Sequence, residues 1–252
     1  MQRTYRIGML TPSGNTVVEP LSYAMVAGCP EISIHFSRIP VSRVGLGAAA
    51  IAQFSIENFL KAANLLEEAK MDVIAWNGSS GSWIGPDFER LLCRRLQEET
   101  GVPATTTTEA LYDAFRALGV RRYSLVAPFT ADIIAKIAST YATEGFTCMR
   151  TSYVELLDTL EKGNVPRAEI RDLICKGAHP ESDAIAVVCT NFAGAPLVAE
   201  LEAELGVTVI DSVTATLWKC LEIIGARPRI EGWGRLLREL PATPVAPARV
   251  AG

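Results

Sequence analysis

Four short segments hold the side chains able to do chemistry: Pro12-Ser13-Gly14-Asn15, Gly78-Ser79-Ser80, Pro128-Phe129-Thr130 and Cys189-Thr190-Asn191. The last belongs to the run VVCTNF at 187–192, where two valines lead straight into a thiol, a hydroxyl and an amide. Within this set Cys189 is the one group that exchanges a proton or attacks carbon near neutral pH. A thiol at a helix N-terminus has its pKa lowered, and that is the expectation for Cys189 with a helix following its strand. Position alone leaves another reading equally open, a cysteine packed as a small hydrophobe after AIAVV. The hydroxyls, amides and free backbone N–H groups of the four segments suit an anion. Few cationic side chains lie near them in the sequence, which favours a carboxylate over a polyphosphate. No G-x-G-x-x-G or G-x-x-x-x-G-K-[ST] pattern is present, which points the same way.

The elements that must position these groups read as alternating strands and helices. Strand candidates are RIGML at 6–10, EISIHFSRI at 31–39, DVIAWN at 72–77, YSLVAP at 123–128, TCMRTSYVE at 147–155, DAIAVVC at 183–189 and VTVID at 207–211. Amphipathic stretches such as SIENFLKAANLLEEAK at 55–70 and TTEALYDAFRAL at 107–118 separate them, the signature of βαβ units and a parallel sheet. Parallel sheets bind ligands outside the carboxyl ends of their strands, and the four segments are such ends.

The sequence also repeats. MDVIAWNGSSGSW aligns with SDAIAVVCTNFAG, matching Asp72 to Asp183 and Gly78 to Cys189 at an offset of 111 (183 − 72). EALYDAFRALGV aligns with ATLWKCLEIIGA through Leu111 and Leu217 and through Gly119 and Gly225, and MLTPSGN with LVAPFTA through Pro12 and Pro128. Three segments in one order at similar separation imply an α/β fold of two pseudo-symmetric lobes, each a parallel sheet flanked by helices, with the site between them. The expected division is a first lobe over 1–118, with a C-terminal helix about 213–240 packing back on it, and a second lobe over 119–212. The Pro/Ala-rich tail at 241–252 is expected to be disordered.

Composition narrows the function. At 252 residues, 49% apolar and 21% charged, the chain is that of an ordinary globular protein,. A net charge of −4 with both signs scattered excludes the basic stripe of a nucleic-acid binder,. No signal-peptide pattern and no run of spanning length is evident, so no membrane is expected. Six cysteines without C-x-x-C spacing and only two histidines, His35 and His179, argue against a disulfide scaffold or metal site and for a reducing cytoplasm,. Both histidines read as structural or exposed, and Cys93, Cys148, Cys175 and Cys220 as core or surface residues. TTTT at 105–108 supplies a helix cap at Thr106 or Thr107. Trp76 and Trp83 flank the Gly78 loop as core residues, with Trp83 able to wall an apolar pocket.

At these residues the chain resembles the aspartate/glutamate racemase superfamily, in its branch of maleate cis-trans isomerases and arylmalonate decarboxylases, over roughly 5–240. LTPSGNTVVEP at 10–20 looks like the isomerases' P-S-S-N-T-x-x-E-P segment. The resemblance implies two pseudo-symmetric lobes, an active site between them and no cofactor. Two-cysteine members carry a thiol at each of two equivalent strand ends; here the second is Cys189 and the first position is Gly78. Glycine first and cysteine second is similar to the arylmalonate decarboxylases, in which hydroxyls after the glycine, here Ser79 and Ser80, help hold carboxylate and enediolate oxygens while the cysteine protonates one face. The usual tyrosine of the third strand end is Phe129, with the hydroxyl of Thr130 next to it. Asn15 matches an isomerase amide, Thr159 stands where the isomerases tend to carry asparagine, and Thr190 and Asn191 stand where the decarboxylases favour glycines.

The resulting expectation is a cofactor-independent enzyme acting on a small carboxylic acid. Cys189 is the catalytic group, and Pro12, Ser13, Asn15, Gly78, Ser79, Ser80, Phe129, Thr130, Thr190 and Asn191 surround the substrate. Decarboxylation is chemically favoured, since it needs one proton donor whereas racemization needs an acid and a base on opposite faces. The alternatives are maleate-type isomerization by thiol addition through Cys189 alone, and a carboxylate-binding paralogue without chemistry. The partner is a small carboxylate, and a homo-oligomer is allowed.

Overall fold

Two four-stranded sheets with the same strand order organise the chain. The computed structural model describes residues 4–239, so the tail expected at 241–252 lies outside the described residues. The first sheet runs β2-β1-β3-β4, with β1 Tyr5–Pro12, β2 Ile32–Ile39, β3 Val73–Trp76 and β4 Ala104–Thr106. The second runs β6-β5-β7-β8, with β5 Arg122–Ala127, β6 Thr147–Tyr153, β7 Ala184–Val187 and β8 Thr208–Asp211. All neighbouring strands are parallel.

The central strands β3 (VIAW) and β7 (AIAV) are buried at every residue, as continuous apolar runs covered on both faces must be. They are the two halves of the sequence repeat, at the same offset of 111 (184 − 73). The helices Thr107–Leu118 and Ser212–Ile224 are a second such pair. Thr106 caps the first by accepting from the Glu109 N–H, Asp211 caps the other by accepting from the Val213 N–H, and both end in left-handed glycines, Gly119 at φ 70° and Gly225 at φ 68°. They pack on each other, and the Thr107 and Thr216 hydroxyls meet at 2.8 Å.

Three details differ from the sequence reading. β4 lies inside the TTTT run, because Thr106 both ends a short edge strand and caps the next helix; a three-residue strand shows no periodicity to detect. β7 stops at Val187, and the Cys189 N–H turns to the Ser212 hydroxyl at 3.1 Å. The stretch 213–240 is not one helix: Ser212–Ile224 and Arg235–Glu239 are separated by a segment with positive φ at Gly225, Gly232 and Gly234. Among the described residues no helix is long and apolar enough to cross a membrane, and no group of three or more His, Cys, Asp or Glu is placed to hold a metal ion.

Glu89, on the helix Pro86–Thr100, is fully buried against Gly81, where an added Cβ would meet its Cδ at 2.0 Å. Burial pushes its carboxyl up from 4.5 to about 8, with the Thr106 and Thr108 hydroxyls and the Gly81 N–H offsetting part of the rise and the charge of Glu109 adding to it. Between those two values the folded protein keeps a proton that the unfolded chain releases, so stability falls as pH rises through that window. Glu89→Gln should flatten the decline, leaving the contributions of Asp211, which burial pushes up to about 7, and of Glu109 and Glu202, which burial also raises. Urea unfolding at pH 5 and pH 8.5 should show the variant gaining on the order of 3 kcal/mol relative to wild type at the higher pH; equal slopes would mean that Glu89 is ionised in the fold.

Candidate active site

The carboxyl ends of β1, β3, β5 and β7 converge on one narrow cavity that is partly open to solvent. Nine of the residues expected there line it: Pro12, Asn15, Gly78, Ser79, Ser80, Phe129, Cys189, Thr190 and Asn191. Val41, Val44, Phe54, Trp76 and Trp83 complete an apolar wall, and Thr159 and Lys162 add polar groups. Ser13 and Thr130 do not line it. The Ser13 hydroxyl exchanges hydrogen bonds with the backbone of Val41, donating to the carbonyl at 3.3 Å and accepting from the N–H at 3.2 Å. That of Thr130 donates to the Asp132 carboxylate at 2.5 Å. Hydroxyls beside strand ends are readily captured by local partners.

Side-chain amides stitch the two sheets together beneath the cavity. Asn15 Oδ1 accepts from the N–H groups of Val17 and Val18 at 2.9 and 3.0 Å, in the turn that leads into the helix Val18–Val26, while its Nδ2 donates to Thr190 Oγ1 at 3.1 Å. Thr190 in turn donates to the Asn77 carbonyl at 3.3 Å. Asn191 Oδ1 accepts from the N–H groups of Thr16 and Val17 at 3.0 and 3.3 Å, and its Nδ2 donates to the Thr159 carbonyl at 2.5 Å. Among the described residues the second Nδ2 proton of Asn15 has no partner. Ser80 Oγ accepts from Trp76 Nε1 at 3.0 Å, which leaves its own proton to donate. Among the described residues nothing bonds the Ser79 hydroxyl.

Cys189 does not sit at a helix N-terminus. Thr190 and Asn191 form a turn, and the next helix begins only at Val198 after a short 3-10 turn. The thiol is 5% exposed. Its pKa is therefore not lowered: burial pushes it up to about 11, against the charge of Lys162 and the Asn191 N–H, with Asp211 adding to the rise. At neutral pH it is a thiol, a proton donor rather than a ready nucleophile.

The glycine at 78 is explained by its neighbour. Residues two apart on an extended chain share a face, and the Trp76 indole folds over Gly78 so closely that a Cβ would meet its Cζ2 at 2.3 Å and Cε2 at 2.5 Å. Trp76 is fully buried, edge-on to Phe59 and Phe54 with ring centroids at 4.8 and 6.4 Å, and tied to Ser80 through its Nε1. The ring fills the position where a side chain at residue 78 would lie.

Sequence reasoning missed Lys162. It is 1% exposed and lies on the short helix Thr159–Gly163, with its ammonium donating to the carbonyls of Leu157 at 3.1 Å and Asp158 at 3.4 Å and standing 5.5 Å from the centroid of the Phe129 ring. Burial lowers its pKa, while Cys189, Asp158 and Glu161 raise it. In DTLEKGNVP it reads as one charge in a polar stretch. The faint signal is Gly163, whose absent side chain allows close approach: a Cβ there would meet Thr16 Oγ1 at 2.9 Å and Asn191 Oδ1 at 3.2 Å. His35 and His179 stand away from the cavity; His35 contacts Ser33, and His179 accepts from the Glu181 N–H.

Comparison with known proteins places this geometry among relatives. Residues 17–237 match the arylmalonate decarboxylase family. The chain is 29% identical over 245 residues to arylmalonate decarboxylase of Bordetella bronchiseptica, covering 94% of this chain and 98% of the relative. It is 27% identical over 250 residues to maleate isomerase of Pseudomonas putida, again covering 94% and 98%. The structure of Nocardia farcinica maleate cis-trans isomerase bound to TRIS superposes with a TM-score of 0.84 at 26% identity, covering 93% of this chain and 98% of that one.

With the indole in place, Gly78→Cys and Gly78→Ala should each destabilise the fold by on the order of 2 kcal/mol, as overpacking does. The shift in denaturation midpoint measures this. A Gly78→Cys protein as stable as wild type, with unchanged tryptophan fluorescence, would show that the ring does not bar a side chain.

Proposed function

The chain belongs to the arylmalonate decarboxylase family, and on that premise we propose that it decarboxylates a malonate-type dicarboxylic acid without a cofactor, with Cys189 as proton donor. What carries this reading is the asymmetry of the cavity: one thiol, held protonated by burial, and an indole ring where a second thiol would stand. One donor suffices for decarboxylation, whereas two-sided racemization needs a second acid or base facing the thiol, a position that the indole fills,.

In the proposed reaction the retained carboxylate accepts hydrogen bonds from Ser79, Ser80 and the free N–H of Asn15. The bond to the other carboxylate breaks, CO2 departs, and the electron pair passes into the enediolate of the retained one. The wall of Val41, Val44, Phe54 and Trp83 solvates a charged carboxylate poorly and neutral CO2 well, which favours that departure,. Donors fixed before the reaction stabilise the enediolate oxygens without reorganising. The Cys189 thiol then delivers its proton to carbon, and the thiolate, in the field of Lys162, regains a proton from water. Isomerization through Cys189 alone is subordinate, because addition to an alkene starts from a thiolate, the form that burial opposes.

Phenylmalonate and maleate separate the reactions. The expected result is CO2 release from phenylmalonate and no fumarate from maleate. Cys189→Ala should lower kcat for CO2 release by about 10²- to 10⁴-fold, the usual weight of a positioned general acid, with an unchanged melting temperature. The donor limb of the pH profile should fall only as pH approaches about 11, where the thiol ionises. Fumarate without CO2 would assign the isomerase reaction, and a Cys189→Ala enzyme at full activity would remove the thiol from the mechanism.

A further inference from the structure

Two lysines are withdrawn from solvent in this fold, and they differ in their company. Lys219 is ion-paired with Asp113 at 2.8 Å and Glu222 at 2.6 Å. Lys162, the more deeply buried, has no carboxylate within ion-pair distance among the described residues. The nearest candidate, Asp158, is turned back to cap its own short helix, accepting from the N–H groups of Leu160 at 2.7 Å and Glu161 at 3.4 Å, and Glu161 is exposed. Carbonyls take two of the three ammonium protons, and the Phe129 ring covers one side of the charge. A buried cation without an anion is costly, and this one lines the cavity that holds Cys189. Phe129 contributes no hydroxyl, and the Thr130 hydroxyl is held by Asp132, so Lys162 is the cavity's one cationic donor among its lining residues.

We propose that Lys162 is the carboxylate anchor of the cavity: its ammonium pairs with the carboxylate that stays on the substrate and faces the charge that builds there as the enediolate forms. The second half rests on the decarboxylation reading; the first does not. Lys162 transfers no proton in this role. The substrate class is thereby narrowed to acids whose retained carboxylate is unesterified and unamidated, because a neutral group there would leave the ammonium unpaired.

Calorimetric binding of phenylacetate and of its neutral isostere phenylacetamide tests the anchor apart from turnover. Wild type should bind the acid at least about tenfold more tightly than the amide, the usual weight of a hydrogen bond to a charged group. Lys162→Met should lose at least about tenfold of that preference, leaving only what the Ser79, Ser80 and Asn15 donors supply. The variant is expected to fold, because apolar replacement of a buried charge is often tolerated; should it melt early, Lys162→Gln carries the same comparison. Equal binding of acid and amide by wild type, binding of neither, or a preference for the acid that survives undiminished in the variant overturns the anchor. CO2 release from phenylmalonate is scored separately. An acid preference that depends on Lys162 without CO2 release upholds the anchor and sinks the reaction, whereas CO2 release with kcat and KM unchanged in Lys162→Met sinks the anchor and leaves the reaction standing.

Discussion

Two amides crossing between the sheets tie the two halves of the cavity to each other. Asn15 reaches from the end of β1 to Thr190 beyond β7, and Asn191 reaches back to the backbone of Thr16 and Val17 and across to Thr159. Each bond contributes only about 1 kcal/mol net, but a buried partner left unmade costs about 1–3 kcal/mol, so a shift of one sheet against the other is opposed at each of these amides. Because those amides are also cavity walls, the alignment that closes the seam fixes the distances among the thiol, the hydroxyls and the ammonium.

That closure also sets the protonation states. Removing water drives each ionisable group toward its neutral form, and the two groups respond in opposite senses: the Cys189 thiol becomes harder to ionise and the Lys162 ammonium easier to discharge. Each moderates the other, since a positive neighbour favours the thiolate and a negative one favours the ammonium. In the proposed reaction, loss of a proton from sulfur would place a negative charge in the field of a cation already present. The reactivity of the thiol belongs to the closed seam more than to the strand end on which the residue lies.

Much of the fold was legible in the sequence because its determinants are local or repeated. The apolar runs of β3 and β7, the matching glycine caps at Gly119 and Gly225 and the polar residues after each strand all follow from periodicity and turn chemistry. The site was legible only as far as strand ends define it. Ser13 and Thr130 belong to such ends, yet Val41 and Asp132 claim their hydroxyls, and nothing in residue type announces that. A turn interposed before the next helix reversed the expected direction of the Cys189 pKa. Lys162 and the contact of Trp76 with Gly78 arise from tertiary approach, which spacing along the chain does not encode.

The indole lying over residue 78 has a consequence for how such a chain could diverge. A thiol arriving first would have to push the ring aside, and shrinking the ring first would hollow the core beneath Phe54 and Phe59 and strip Ser80 of its indole N–H. Either single step passes through a weakened protein, so the two changes are epistatic. A chain carrying this tryptophan therefore reaches a second thiol at residue 78 only through a change that also rebuilds the packing around the ring.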